Sequence, residues 1–186
     1  MSKPLSEMTL DELWQLFPIT LTEHRVCWKD WYQEEKENLL SVLPRTVKIH
    51  HIGSTSIDDI WSKPTVDILA EADPGDFDTI KEALLKSGYS CMAQAETRID
   101  FCKGYTSEGF AEKVFHLHLR KFGDNDELYF RDYLNEHPKI AKEYEKLKLS
   151  LWKQFEHDRD GYTGSKTAFV REYTQKAISQ YGRIYG

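Results

Sequence analysis

This 186-residue chain has few cysteines and no long apolar run, and each shortage excludes a class of protein. Cys27, Cys91 and Cys102 are an odd number without zinc-finger spacing, so neither a disulfide framework nor a cysteine-built metal site is expected. No stretch approaches the roughly 20 apolar residues of a membrane span, and the N-terminus lacks the apolar run of a signal peptide. The sequence therefore predicts a cytoplasmic protein that makes no membrane contact.

Positive charge is also in short supply, since 25 lysines and arginines stand against 31 acids and leave a net charge of −6. Non-specific nucleic-acid binding is not expected of such a chain. A hydrophobic fraction of 40% is enough for one packed core. We predict a single domain over 1–186, with a helical extension to about residue 20, an α/β core over 21–122 and C-terminal helices over 123–186. The oligomeric state stays open.

No P-loop, dinucleotide-binding glycine motif, Cys-x-x-Cys pair or calcium loop is present, and the informative pattern is KIHHIGSTSIDDIWSKPTVDILAE at 48–71. It predicts a strand, a turn at Gly53 and Ser54, and a short helix that Thr55 caps together with Asp58. The free N–H groups and the positive dipole end of a helix start favour phosphate. We therefore expect Gly53, Ser54 and Thr55 to contact a phosphate group.

Asp67 lies among apolar residues in the strand predicted next, and a buried-looking strand rarely carries an acid without a function. Two carboxylates two residues apart on one strand face could together hold a pair of metal ions for an in-line displacement at phosphorus. Thr65 and Leu69 occupy the positions at that spacing, and Glu71 lies about 13 Å further along the strand. Asp67 is thus the predicted Mg²⁺ ligand, while Leu69 favours the alternative of an inactive binding module.

Five segments of the chain resemble the GrpB family, and together they span roughly residues 20–178. They are HIGSTSIDDIWSKPTVDIL (51–69), FHLHL (115–119), FRDYLNEHP (130–138), YEKLK (144–148) and YTGSKTAFV (162–170). The resemblance implies an α/β (α+β) fold of the nucleotidyltransferase type, with a short mixed sheet, packed helices and an all-helical C-terminal part. It also implies a site for a nucleotide or phosphorylated metabolite and Mg²⁺-dependent nucleotidyl transfer.

The apolar and polar residues alternate over 114–121, and this pattern places His116 and His118 together on the polar face of a strand. Two such imidazoles could bind a metal with Asp67, act as proton carriers, or simply be solvated. Metal binding by these two histidines and Asp67 would indicate a metal-dependent hydrolase, a third possible function after nucleotidyl transfer and an inactive binding module. Asp100, on an earlier predicted strand, is the candidate for a further carboxylate.

Five more residues are predicted to contact an anionic ligand: Lys63, Arg98, Arg131, Tyr162 and Lys166. Arginine suits bidentate phosphate contact and lysine supplies a point charge. Each of these residues alone is equally well explained as a surface or structural residue. If several of the bases converge in this acidic protein, they mark an anion site.

Other patterns predict the remaining elements and leave one orientation open. Helices are expected from Thr9, over about 22–43 and over 77–86, and a loop is expected at 104–109. From 124 onward the chain is expected to be helical, with Asp124 or Asn125 starting one helix, Pro138 in the first turn of a second and Thr163 capping a third. Trp28 and Trp31 are expected to pack in the core rather than stack on a base. Strand alternation lets only one of His50 and His51 face the side of Asp67.

Overall fold

The computed structural model describes residues 3–185, and in this part of the chain five strands form one mixed sheet. The strands are Lys48–Ile52 (β1), Val66–Ala72 (β2), Ser90–Ala95 (β3), Arg98–Thr106 (β4) and Gly109–Lys121 (β5). The helices are Leu10–Leu16 (α1), Cys27–Val42 (α2), Phe77–Lys86 (α3), Asp126–Glu136 (α4), Pro138–Trp152 (α5) and Arg159–Tyr181 (α6). The predicted fold class is confirmed, including the all-helical C-terminal part.

The strand order is β1-β2-β5-β4-β3, with β2 parallel to β5 and every other pair antiparallel. The parallel pairing places Asp67 beside His116 and Leu69 beside His118. Neighbours in register point to the same face of a sheet. The sheet therefore assembles the aspartate and both histidines on one face, although they lie some 50 residues apart in sequence.

The opposite face of the sheet carries the main hydrophobic core. Ile68 and Leu117 are fully buried there, together with Trp28 of α2 and Ile80 of α3. The expected core position of Trp28 is thus confirmed, and Trp31 packs against the same cluster. Because this face is closed by apolar packing, any ligand of the sheet must approach from the other side.

Three helices start where local sequence signals predict them. Thr9 and Glu12 form the reciprocal capping box of α1, Asn125 precedes α4, and Pro138 occupies the first turn of α5. Within residues 3–185, no helix is both long and apolar enough to cross a bilayer.

Three sequence predictions about boundaries are wrong. The segment near residue 22 is extended, because Thr22 and Ser62 exchange two backbone hydrogen bonds of 2.9 Å, and α2 starts only at Cys27. Thr163 caps nothing, since Asp158 already caps α6 by accepting a hydrogen bond from the Gly161 N–H. The predicted loop at 104–109 is largely a β4–β5 hairpin.

Candidate functional site

A cavity of about 340 Å³ lies between the polar face of the sheet and helices α5 and α6. Eight predicted site residues line it: Gly53, Ser54, Lys63, Asp67, His116, His118, Tyr162 and Lys166. Thr65, Tyr144, Lys148 and Arg159 also contribute to the wall. The structure thus brings together the glycine-serine turn, the strand acid and both histidines around one space.

Gly53 lets the turn lie directly against the carboxylate of Asp67. Its backbone angles, φ 71° and ψ −174°, belong to a region that essentially only glycine occupies. A Cβ at this position would stand 2.9 Å from the Cβ and Cγ of Asp67 and closer still to Oδ2. The absence of a side chain at Gly53 therefore allows the Asp67 carboxylate to lie directly against the turn.

The predicted helix after this turn is wrong, and Thr55 does not line the cavity. Only a three-residue 3-10 turn, Ser54–Ser56, follows Gly53, because the chain becomes extended at Ile57, which is buried against the C-terminal helices. The buried Thr55 hydroxyl lies 3.0 Å from Nε2 of His51. Thr55 is a structural residue of the turn, and no helix dipole points into the cavity from this segment.

His116 connects Asp67 to two donors on its other side. Nδ1 of His116 lies 3.2 Å from Oδ1 of Asp67. Nε2 lies 2.8 Å from the Tyr105 hydroxyl and 2.9 Å from Nη2 of Arg159. Since arginine only donates, Nε2 accepts and Nδ1 carries the proton toward Asp67. Burial lowers the pKa of His116 to about 4, which keeps this imidazole neutral.

His118 stands between two carboxylates. Its Nδ1 is 2.8 Å from Oδ1 of Asp100, and its Nε2 is 3.8 Å from Oδ1 of Asp67. Burial alone would lower the pKa of His118, but these carboxylates raise it to about 9, so the ring is an imidazolium at neutral pH. Arg120 donates to the same Asp100 oxygen at 2.7 Å. Asp100 therefore orients His118 rather than entering the cavity.

Asp67 is ionised and already engaged by its neighbours. Burial would raise its pKa, yet the nearby imidazoles of His116, at 3.2 Å, and His118, at 3.8 Å, hold the pKa well below the usual range of a carboxyl group. Its side chain remains 26% exposed, toward the cavity. Part of the Asp67 carboxylate is thus accessible to a ligand, or to a metal ion that binds together with a ligand.

The residues around Asp67 do not fit a two-metal centre. Leu69 is fully buried against Ile52 and Leu128, and among residues 3–185 no cluster of three or more His, Cys, Asp or Glu side chains is arranged to hold a metal ion. One Mg²⁺ would fit with Asp67 and oxygens of a bound phosphate, the way this ion is commonly held with nucleotides.

Four lysine and arginine side chains converge on the cavity beside the imidazolium of His118, and the three lysines have lowered pKa values. Burial and the nearby charges of Arg159 and Lys166 lower the pKa of Lys63 to about 7. Burial lowers the pKa of Lys148 to about 7 and that of Lys166 to about 8. Burial favours the neutral form of all three lysines, and like charges add to this effect at Lys63 and Lys148. An anion in the cavity would favour the protonated amines and raise these pKa values again.

Tyr162 joins two of these lysines and presents an unsatisfied hydroxyl. The Nζ atoms of Lys166 and Lys63 lie 4.1 and 5.8 Å from the centre of its ring. The side chain is almost wholly buried, and within the described part of the chain its hydroxyl finds no hydrogen-bond partner. Buried hydroxyl groups are normally hydrogen-bonded, so this one is a candidate ligand contact.

The structure places two predicted ligand residues outside the cavity. Arg98 donates twice to Asp124, at 2.6 and 2.7 Å, and lines a neighbouring, wider depression. Arg131 binds the His51 carbonyl at 2.9 Å and the Asp132 carboxylate at 2.7 Å, and so ties α4 to β1. Both guanidinium groups are used for internal contacts.

Sequence reasoning missed Lys148, Arg159 and Tyr144 as lining residues. Lys148 and Tyr144 stand in YEKLK, a segment that carries the family resemblance, and the spacing of four places both on one helix face. A basic residue within an apolar stripe was the signal that could have found Lys148. Arg159 has no such signal, because only the start of α6 after Asp158 carries it to His116.

Comparison with known proteins gives consistent relatives over most of the chain. The family model described as GrpB protein matches residues 18–176. The glutamate-rich protein GrpB of Alkalihalophilus pseudofirmus is 35% identical over 162 residues, which are 83% of this chain and 92% of that protein. The UPF0157 protein YqkA of Bacillus subtilis is 34% identical over 81% of this chain, and the match spans only 44% of YqkA.

Solved structures agree with this assignment. The crystal structure of conserved protein GrpB from Enterococcus faecalis has a TM-score of 0.76 and 28% identity, and it covers 87% of this chain and 99% of that one. Cid1, an RNA terminal uridylyl transferase, aligns over 76% of this chain and 42% of the Cid1 chain, with a TM-score of 0.48. At this score the similarity supports no conclusion about function. This chain belongs to the GrpB family.

Proposed function

We propose that the cavity binds a phosphorylated small molecule, a nucleotide in particular. The observation that carries this proposal is the convergence of Lys63, Lys148, Arg159 and Lys166 on one partly desolvated space. Placing like charges together out of water is unfavourable unless an opposite charge joins them. A phosphate chain supplies several negative oxygens that can each form a charge-assisted hydrogen bond with such a cluster.

The walls of the cavity offer complementary contacts for the rest of such a ligand. Ser54 supplies a hydroxyl and a backbone turn, and Tyr162 supplies the unpartnered hydroxyl. Asp67 would accept a hydrogen bond from the ligand or share one Mg²⁺ with its phosphate oxygens. Free thiols at Cys27, Cys91 and Cys102 fit a reducing compartment, and a cytoplasmic location forms part of the proposal.

Nucleotidyl transfer is the second function we propose for this site, and the contact of Asp67 with the Gly53 turn supports it. A bound Mg²⁺ would supply charge stabilisation at the reacting phosphate. The neutral His116 holds Asp67 ionised, and the four cations would stabilise charge that develops on the leaving group. The buried Leu69, in place of a second acid, instead favours binding without turnover.

The direct test is calorimetric titration with ATP, GTP, CTP, UTP and inorganic tripolyphosphate, each with and without Mg²⁺. We expect at least one of these ligands to bind. Lys148→Met should weaken that binding about tenfold or more, because a charge-assisted contact in a desolvated site is lost. Lys146→Met, on the exposed face of the same helix, is the matched control and should bind normally.

Asp67→Asn separates transfer from binding. If transfer occurs, product formation with Mg²⁺ and a nucleoside triphosphate disappears in this variant, while metal-free binding persists. Binding without product in the wild-type protein would identify a binding module. If no compound of the panel binds, tripolyphosphate included, the proposed function is wrong.

A further inference from the structure

A second, smaller cavity of about 140 Å³ adjoins the cation-lined cavity. Lys63, Thr65 and Arg159 line both spaces, so one ligand could extend from one into the other. The first cavity is rich in cations, whereas aromatic side chains dominate one wall of the second. The two spaces therefore offer different chemistry to the two ends of one molecule.

Three aromatic rings form that wall, and they come from three separate elements. Phe17 follows α1, Tyr105 lies on β4, and Phe110 lies on β5. Their ring centres are 4.6 Å (Phe17–Tyr105), 5.0 Å (Phe17–Phe110) and 5.1 Å (Tyr105–Phe110) apart. Phe17 is buried, but Phe110 remains 44% exposed. An aromatic surface thus stays accessible beside the phosphate-sized cluster of charge.

Arg159 forms the boundary between the two cavities. Its guanidinium lies 5.5 Å from the centre of the Tyr105 ring and 2.9 Å from Nε2 of His116. Tyr105 in turn lies 2.8 Å from the same His116 nitrogen. The aromatic wall is therefore fixed to the Asp67–His116 pair by two polar contacts, and the distance between ring site and phosphate site is set by the sheet.

We propose that the smaller cavity holds the planar base of the nucleotide, against Phe110, while its phosphates lie on Lys63 and Arg159. The inference rests on the proposed function and adds the orientation of the bound nucleotide, with its base in the smaller cavity and its phosphates in the larger one. A dry cavity of about 150 Å³ holds a single benzene ring, so the volume here suits one flat ring. Every base has a π face, and stacking on aromatic side chains recognises bases with little sequence preference.

Phe110 offers a test with a matched control at the other end of the same strand. Phe122 comes directly after β5, is 40% exposed, and is absent from the lining of either cavity. Titration of ATP, UTP and inorganic tripolyphosphate into wild type, Phe110→Ala and Phe122→Ala separates ring contacts from phosphate contacts. Phe110→Leu is added because it keeps apolar packing but removes the flat π face.

We expect Phe110→Ala and Phe110→Leu to weaken nucleoside triphosphate binding about tenfold, as loss of one base stack does elsewhere. Tripolyphosphate binding should stay within about twofold of wild type, since phosphate contacts are untouched. Phe122→Ala should change neither. Rescue of nucleotide affinity by leucine would show that Phe110 only packs the hairpin, and the inference would be wrong.

Two further outcomes distinguish this inference from the proposal beneath it. If tripolyphosphate binds the wild-type protein as tightly as every nucleoside triphosphate, the base contributes nothing and the inference fails while anion binding stands. If neither tripolyphosphate nor any nucleotide binds, the proposed function fails and the inference fails with it.

Discussion

At Gly53 a missing side chain makes room for the Asp67 carboxylate. Two independent requirements meet there, because the backbone adopts a glycine-only conformation and the added Cβ would overlap Asp67. Gly182 separates the two effects, since it has the same angles, φ 71° and ψ −174°, with nothing within 4 Å of a Cβ. The chain thus contains its own control for the cost of backbone strain.

Gly53→Ala should lower the free energy of unfolding by about 3 kcal/mol or more, because backbone strain and steric overlap add. Gly182→Ala should cost about 1 kcal/mol, for strain alone. Urea unfolding of both variants measures the difference. Equal costs would mean that Asp67 moves freely away from the turn and that the contact does not position it.

The lysines give the cavity a pH dependence that the net charge of the chain does not reveal. Lys63 and Lys148 have pKa values of about 7 and Lys166 of about 8, so all three lose protons as pH rises from 7 to 9. His118, with a pKa of about 9, loses its proton at the upper end of this range. An anion binds the protonated amines and raises their pKa values. Binding therefore takes up protons above pH 7 and weakens as pH rises.

Affinity for a nucleoside triphosphate should fall about tenfold or more between pH 7.5 and 9.5, a range above the phosphate pKa of about 6. Calorimetry at four pH values, in two buffers of different ionisation enthalpy, measures affinity and proton uptake together. Lys166→Arg stays charged throughout and should make the slope shallower. A pH-independent affinity would contradict the lowered lysine pKa values.

Three residues of β2 share one face of the sheet but lie in three different environments. Asp67 faces the cavity, Leu69 packs against Leu128 of α4, and Glu71 accepts hydrogen bonds of 3.0 Å from the Gly123 N–H and the Asn125 amide. Helix α4 thus covers the strand beyond Asp67. The position that would carry the second acid of a metal pair lies under a helix.

Leu69→Asp should lower the free energy of unfolding by about 3 kcal/mol, because a carboxylate buried among Ile52 and Leu128 loses its hydration, and the neighbouring imidazolium of His118 is already shared by Asp67 and Asp100. Thr65→Asp, which faces the cavity and its lysines, should cost about 1 kcal/mol or less. Chemical denaturation compares the two variants. A Leu69→Asp protein that is stable and binds Mg²⁺ would contradict the covered position of Leu69.

Across the whole molecule, an acidic chain surrounds a cation-lined cavity. The net charge of −6 repels anions at long range, whereas the four cations attract them at short range. The cavity also joins two parts of the fold, since the sheet supplies Asp67 and the C-terminal helices supply Lys148 and Lys166. A bound ligand would therefore connect the sheet and helices.

The ligand identified by titration should raise the melting temperature by roughly 5–10 °C at a concentration 100 times its Kd, from linkage of about 2.7 kcal/mol in a domain of this size. Differential scanning fluorimetry measures the shift. Lys148→Met should reduce the shift, and it should also lower the ligand-free melting temperature by a few degrees, because the Lys148 amine donates a hydrogen bond to the Trp61 carbonyl. An unchanged shift in Lys148→Met would place the ligand elsewhere.

Much of the site was accessible from sequence because it depends on local pattern. The strand-turn-strand segment at 48–71 placed Gly53 and Asp67, and alternation placed His116 and His118 on one face. The helix expected after Ser54 was wrong, because Ile57 is drawn into packing with distant helices. Arg98 and Arg131 could not be separated from ligand-binding bases, since their partners Asp124 and the His51 carbonyl are fixed only by the fold.

Most of the elements and their polar faces follow from sequence pattern, since periodicity and capping act over a few neighbouring residues. Register and helix placement were decided by tertiary structure. Pairing of His50 with Leu69 and His51 with Ile68 settles which histidine shares the face of Asp67, and it is His50. Tertiary packing of two helices against the sheet likewise brings together Lys63, Lys148, Arg159 and Lys166. Contacts between segments so distant in sequence depend on packing and not on the secondary-structure preference of each segment.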